Sequence, residues 1–231
     1  MSEDAQGIRI EIEQDGPYVV YGGPPMSQEF IVADGEGDSR EYRKGKDFSL
    51  PDKVRLCRCG QSNSKPYCDG SHKSADVDLA ETASFAPRAE DAKVVPGADR
   101  DLTDDEKLCA YGRFCDVDGG VWSLVSDPGR EAKSLVAGIV HHCPGGRLGL
   151  KDPTTGEELD EPIAVGLALI EDPQLGDLSG PLRASGGIPV VSASGEQYEV
   201  RDRQALCRCG ASSNKPFCDG SHASVGFADG L

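Results

Sequence analysis

No apolar run in this chain approaches the length of a membrane span: the longest, Ile163-Ala-Val-Gly-Leu-Ala-Leu-Ile170, is strand-sized. A soluble protein without membrane contact is expected. Basic residues are scarce, 24 Lys and Arg against 40 Asp and Glu. The resulting net charge of −16 argues against nucleic acid, a polyanion that such a surface repels. The acidic excess either steers a basic protein partner or simply keeps the chain in solution. Phosphate-binding fingerprints are missing too: Gly119-Gly120 and Gly145-Gly146 lack the G-x-G-x-x-G or Walker spacing, so flavin, nicotinamide and ATP have no support. No nucleophile and base pattern is recognisable, and a free-standing enzyme is not expected. The acidic start, Met1-Ser-Glu-Asp4, lacks the basic and apolar regions of a secretory signal and the arginines of a transit peptide, which makes cytoplasmic the expected location.

Apolar residues are themselves somewhat few, 37% of 231 residues. Such a chain forms one large domain or two to three small ones, and small cores commonly lean on metal centres. Nine cysteines are present, an odd number that argues against a disulfide framework. They fall into three groups of three: Cys57, Cys59 and Cys68; Cys109, Cys115 and Cys143; Cys207, Cys209 and Cys218.

The first and last groups lie in two copies of one loop, Cys57-Arg-Cys59-Gly-Gln-Ser-Asn-Ser-Lys-Pro-Tyr-Cys68-Asp-Gly-Ser-His72 and Cys207-Arg-Cys209-Gly-Ala-Ser-Ser-Asn-Lys-Pro-Phe-Cys218-Asp-Gly-Ser-His222. Three thiols and an imidazole packed so closely point to a metal. Burial as plain apolar thiols is a poor alternative, because loops rich in Gly, Ser, Asn and Lys offer no core. Zinc stays open, since it accepts Cys3His, although ordinary zinc ribbons use Cys-x2-Cys rather than Cys-x-Cys. Arg58, Arg208, Lys65 and Lys215 flank the ligands, either offsetting charge or solvated.

Every ligand of the second loop lies 150 residues after its counterpart, and fourteen of nineteen positions from Leu56 to Ser74 are identical to Leu206 to Ser224. Gly16-Pro17 and Gly22-Gly23 parallel Gly180-Pro181 and Gly186-Gly187, with fourteen extra residues between Gly-Gly and the first ligand in the first copy. Internal duplication is the simplest explanation. Upstream, Ile8–Ile12, Tyr18–Tyr21, Glu29–Val32, Pro189–Val191 and Gln197–Val200 read as short strands, and Asp69 and Asp219 as N-caps of short helices carrying His72 and His222. Between the copies, residues 76–100 read as an acidic connecting segment with one helix. Thr103–Glu106 fits a capping box, Gly120–Val125 a strand, and Gly129–His142 a helix ending at Cys143-Pro144.

The loops resemble those of the CDGSH iron–sulfur family, matching its pattern at every ligand. The resemblance implies a [2Fe-2S] cluster in each, with Cys57 and Cys59 (Cys207 and Cys209) on the inner iron and Cys68 with His72 (Cys218 with His222) on the outer one. It also implies that the two terminal regions pack as a pseudo-twofold pair, an intramolecular dimer. Imidazole in place of thiolate raises the potential, and an exposed imidazole ligand makes the cluster sensitive to protons.

The middle triad is looser. Positions 109, 112 and 115 reproduce ferredoxin C-x2-C-x2-C spacing with Gly112 in place of the central cysteine, and Cys143-Pro144 supplies the remote Cys-Pro. Together with Asp116-Val-Asp-Gly-Gly-Val-Trp122, this resembles the divergent mono-cluster ferredoxin domain. Three thiolates suit a [3Fe-4S] cluster; a [4Fe-4S] cluster needs a fourth ligand, for which His141, His142, Asp116 or an exogenous group are candidates. For the two histidines, closing the helix C-terminus is the favoured role, because adjacent helical residues point in different directions.

The expected fold is α+β, mostly small antiparallel β with short helices: a first CDGSH domain at 1–76, a linker at 77–101, a ferredoxin-like mono-cluster module at 102–150 and a second CDGSH domain at 151–231. The expected function is electron transfer with a redox protein partner of basic surface. A cluster carrier or iron and redox sensor is the alternative, with a zinc-stapled interaction module third.

Overall fold

The computed structural model describes residues 7–231, so the acidic Met1–Asp4 stretch lies outside the described residues. Along the chain the elements are β1 (Arg9–Ile12), β2 (Tyr18–Tyr21), β3 (Met26–Ala33), β4 (Ser39–Phe48) and β5 (Lys53–Leu56). The middle contributes α1 (Arg88–Asp91), β6 (Lys93–Val95), β7 (Asp101–Asp104), α2 (Val121–Leu124), α3 (Arg130–His142) and β8 (Leu148–Lys151). The second copy adds β9 (Gly166–Asp172), β10 (Leu178–Ser185), β11 (Val190–Val191), β12 (Arg203–Leu206) and α4 (Ser221–Ser224). This is α+β, dominated by small sheets with few short helices.

The two copies exchange strands. One sheet runs β11-β1-β2-β5 and the other β12-β10-β9-β3-β4. In each, three antiparallel strands come from one copy, and a strand of the other copy adds in parallel: β11 beside β1 (Ile10 opposite Val190) and β3 beside β9 (Gln28 opposite Leu169). The crossings match bond for bond, since Pro189 O accepts from Ile10 N at 2.9 Å and Pro25 O from Leu167 N at 2.8 Å. The Gly-Gly pairs make the crossing: Gly22 and Gly23 have φ of 81° and 53°, Gly186 and Gly187 of 73° and 74°, conformations that other residues rarely adopt. One apolar core, with Ile10, Tyr18 and Val20 from one copy and Leu169, Leu182 and Leu206 from the other, fills the space between the sheets.

The fourteen extra residues of the first copy build the long β3–β4 hairpin, where the second copy has the two-residue β11. The hairpin docks the middle module. On β4, Tyr42 packs on Phe114 with ring centroids 4.8 Å apart and donates to His142 O at 3.0 Å, while Arg40 pairs with Asp118 at 3.1 Å. That module is a sheet β6-β7-β8 whose Leu102, Leu148 and Leu150 bury α3 through Val136, Ile139 and Val140.

Several local expectations are corrected. Gly120–Val125 is no strand: after Gly119 and Gly120 at positive φ the chain forms α2, which buries Val121 and Val125 at helical i,i+4 spacing. Short apolar runs fit either period. Thr103 lies inside β7 with its hydroxyl accepting from Arg88, and the following 3-10 turn is capped by Asp105, whose side chain accepts from Lys107 N. Gln197–Val200 makes only a single bridge, Val191 to Gln197. The connecting segment carries α1 as expected but also β6, and it is strapped onto the second copy: Glu81 accepts from Tyr198 Oη and Ala193 N, and Phe85 stacks on Tyr198 at 4.3 Å.

Candidate metal centres

Each loop leaves the last strand of its copy and returns beside it. Cys57 N donates to Pro66 O and Cys68 N to Arg55 O; Cys207 N donates to Pro216 O and Cys218 N to Ala205 O, all within 2.8 to 3.0 Å. The side chains then meet in twos. Cys57 Sγ and Cys59 Sγ are 3.7 Å apart, Cys207 Sγ and Cys209 Sγ also 3.7 Å, and the Nδ1 atoms of His72 and His222 stand 3.4 Å from Cys68 Sγ and Cys218 Sγ. These are no disulfides, which need about 2.05 Å. Two thiolates bound tetrahedrally at about 2.3 Å lie about 3.7 Å apart, so each pair fits the edge of a metal tetrahedron. Among the described residues, no group of three or more His, Cys, Asp or Glu side chains is placed to hold one ion.

The surrounding bonds repeat as well. Gln61 N and Ala211 N point at Cys59 Sγ and Cys209 Sγ at 3.4 Å, and Gly220 N at Cys218 Sγ at 3.4 Å, the kind of amide contact that stabilises thiolate. Bonding to its partner thiol and to following amides lowers Cys57 and Cys207 to about 6, and the same bond, together with burial, pushes Cys59 and Cys209 up. Asp69 and Asp219 are not the N-cap residues; Gly70 and Gly220 are, at φ of 90° and 87°. Their carboxylates instead clamp the loop, accepting from Asn63 N and Ser71 N, and from Ser213 N and Ser221 N. Lys65 and Lys215 cap Ser62 O and Ser212 O. Arg58 and Arg208 are buried rather than solvated, donating from Nε to Gly16 O and Gly180 O.

The two loops touch back to back. Cys59 and Cys209 form an antiparallel bridge, and a Cβ on Gly60 or Gly210 would stand 2.7 Å from the carbonyl oxygen of Cys209 or Cys59. Tyr18 of the first copy donates to Cys207 O and Pro216 O of the second at 2.9 Å.

Cys109, Cys115 and Cys143 line one pocket, closed by Ile139, Pro144 and Arg147. Tyr111 (φ 57°) and Arg113 (φ 61°) hold left-handed conformations on either side of Gly112. Burial, Asp116 and Cys143 push the Cys115 thiol up to about 12. Arg147 lines the pocket with Cys109 while its fork grips Asp104, which also accepts from Trp122 Nε1. Sequence reasoning missed this charged support, since nothing local links residues 104, 122 and 147. His141 and His142 line other pockets, the first beside Asp160 and Arg203 and the second stacked on Phe114. Asp116 is exposed, 3.6 Å from Cys115 Sγ. The loop lies directly on the second CDGSH-type loop: Ala110 packs with Cys218, and a Cβ on Gly220 would meet Tyr111 Cβ at 3.2 Å.

The description "iron-binding zinc finger CDGSH type" belongs to the family whose model matches residues 15–73 and 179–223; both matches stop short of Cys109, Cys115 and Cys143. No curated protein and no solved structure matches the chain. With the sequence pattern, its paired geometry and both matched regions in agreement, residues 15–73 and 179–223 are two copies of the CDGSH iron-binding type in one chain.

Proposed function

We propose that this protein is an electron carrier with three iron–sulfur centres. Cys57, Cys59, Cys68 and His72 would hold one [2Fe-2S] group, Cys207, Cys209, Cys218 and His222 a second, and Cys109, Cys115 and Cys143 a [3Fe-4S] group. The observation that carries the reading is the pairing of ligands two by two at 3.7 and 3.4 Å in both loops. A binuclear centre takes two ligands on each iron, whereas a single zinc ion would draw all four together. Such groups supply reversible one-electron chemistry, at a potential raised by imidazole ligation. The chain's own part is to hold the thiolates with amides, exclude water and keep the sites close.

The reciprocal strand exchange and the Cys59–Cys209 bridge support a pseudo-twofold pair, with the ferredoxin-like module docked against the second site. The charge of −16 favours a basic redox protein as partner. No helix among the described residues is long and apolar enough to cross a membrane. A cluster carrier is the second reading, favoured by the partial exposure of Cys68 and His72.

Iron and acid-labile sulfide per chain test the assignment: about seven irons with a trinuclear middle group, about eight with a cubane, about four if the middle triad is empty. Stoichiometric zinc in colourless protein would overturn it. Reduced holoprotein should pass electrons to an acceptor without bleaching; bleaching while an apo-ferredoxin gains a cluster would favour the carrier.

A further inference from the structure

The two CDGSH loops are nearly identical in sequence and bonding, yet their surroundings differ at one edge. At the first site Cys68 and His72 are partly exposed; at the second, Cys218 and His222 are 2% and 6% exposed. Position by position the contrast repeats: a Cβ on Gly70 would meet nothing within 4 Å, whereas one on Gly220 would meet Tyr111 and the Cys109 carbonyl. Since the loops match, the difference arises from what the rest of the chain lays over them.

We propose that the two sites are unequal by construction: the Cys68–His72 edge is the open face at which small molecules and partner proteins reach a bound group, and the Cys218–His222 edge is closed by a two-part cover. The proposal rests on the reading that both loops hold such a group. One part of the cover is the Cys109–Cys115 loop. The other is the C-terminal segment, which folds back over α4: Phe227 N donates to His222 O at 3.0 Å, Ser179 N donates to Phe227 O at 2.8 Å, and Asp229 N donates to Ser179 Oγ at 3.0 Å. Asp229 also locks Arg208, whose guanidinium lies over the Phe227 ring. Phe227 is thereby buried, with its backbone tied to that of His222.

Among the described residues the first copy has no such cover, because its chain continues elsewhere. After His72 it turns so that Val77 and Leu79 pack against Cys57 and Cys59, shielding the opposite end of that site. The corresponding end of the second site stays partly open, for Cys209 is only half-buried. What differs is which edge faces outward, imidazole at the first site and thiolate at the second.

The test uses iron-loaded full-length protein in two backgrounds, Cys57→Ser with Cys68→Ser and Cys207→Ser with Cys218→Ser, each keeping one terminal site beside a common middle site. Bleaching by bathophenanthroline disulfonate is followed, with relaxation of the reduced EPR signal by a soluble gadolinium chelate as a second readout. The protein keeping His72 should bleach at least about tenfold faster, the least that one added local opening step of ordinary cost would give. Ending the chain at Val225, or the milder Phe227→Ala that leaves the Asp229–Arg208 pair in place, should bring the His222 site towards the rate of the His72 site. Equal bleaching and equal relaxation in coloured protein overturn the proposal, as does a His222 site indifferent to Phe227→Ala with an unchanged melting profile. Colourless protein overturns instead the cluster reading beneath it.

Discussion

Arg58 and Arg208 occupy the same place in the same Cys-Arg-Cys motif, and their partners set them apart. Both are buried and reach the backbone of the Gly-Pro turn in their own copy, but among the described residues only Arg208 also pairs with carboxylates, Glu171 and Asp229. Burial raises the Glu171 carboxyl even with Arg208 beside it. Arg208→Ala therefore strands two buried acids and should cost about 3–5 kcal/mol in urea unfolding of the holoprotein. Arg58→Ala removes a donor to one carbonyl and should cost less, about 1–3 kcal/mol. Equal losses would mean that packing of the side chain, and not the acids, sets the cost. The Asp clamps act through charge as well. Partial burial opposes ionisation of Asp219, yet bonds from Ser221 and Ser213 hold its carboxyl well below the usual 3.8. A depressed carboxyl stabilises the fold fully above that value and loses its contribution as pH falls below it towards the folded value. The stability gap between the wild-type protein and Asp219→Asn should accordingly be full at neutral pH and shrink below about pH 3.8 in titrated unfolding curves.

At the scale of elements, packing in the middle loop accounts for a glycine at position 112. A Cβ on Gly112 would stand 3.0 Å from Pro144 Cδ and 3.1 Å from its Cγ, so the proline ring leaves little room for a side chain there. Gly112→Cys should thus lower the melting temperature without adding iron per chain. A gain of one iron, with cubane EPR replacing the trinuclear signal, would show that the loop can yield. How legible each element was in the sequence follows from the range of its contacts. The pairing of the eight cysteine and histidine side chains in the terminal loops follows from short range, because each set lies within sixteen residues and is drawn together by hydrogen bonds in and beside that loop. α3 could be read because thirteen residues give its apolar spacing enough turns. Residues 121–124 could not, because one helical turn and a short strand share the same apolar pattern and only burial of Val121 with Val125 decides. The Arg147–Asp104–Trp122 support and the strap of Glu81 on Tyr198 join residues far apart in sequence, for which no local signal exists.

For the whole molecule the governing fact is that neither copy completes its own sheet. β1 lies at the edge of its copy's own three strands, β1-β2-β5, and is covered only by β11; β3 leaves that sheet altogether and finds β9. Because β9 corresponds to β1 and β11 to β3, a fragment of residues 7–76 holds both halves of the missing pairing. One fragment's β3 can lie parallel to another's β1, and the reverse pairing covers the second β1 edge in the same way. Left as a monomer, the fragment would expose the β1 edge and the apolar face of Ile10, Tyr18 and Val20, which the second copy covers in the intact chain. The isolated fragment is expected to sediment as a dimer that binds iron, and to unfold at a midpoint that rises with concentration. A folded fragment monomer with a concentration-independent midpoint would show instead that β3 can turn back beside its own β1, and that the exchange in the full chain is imposed by the inserted module.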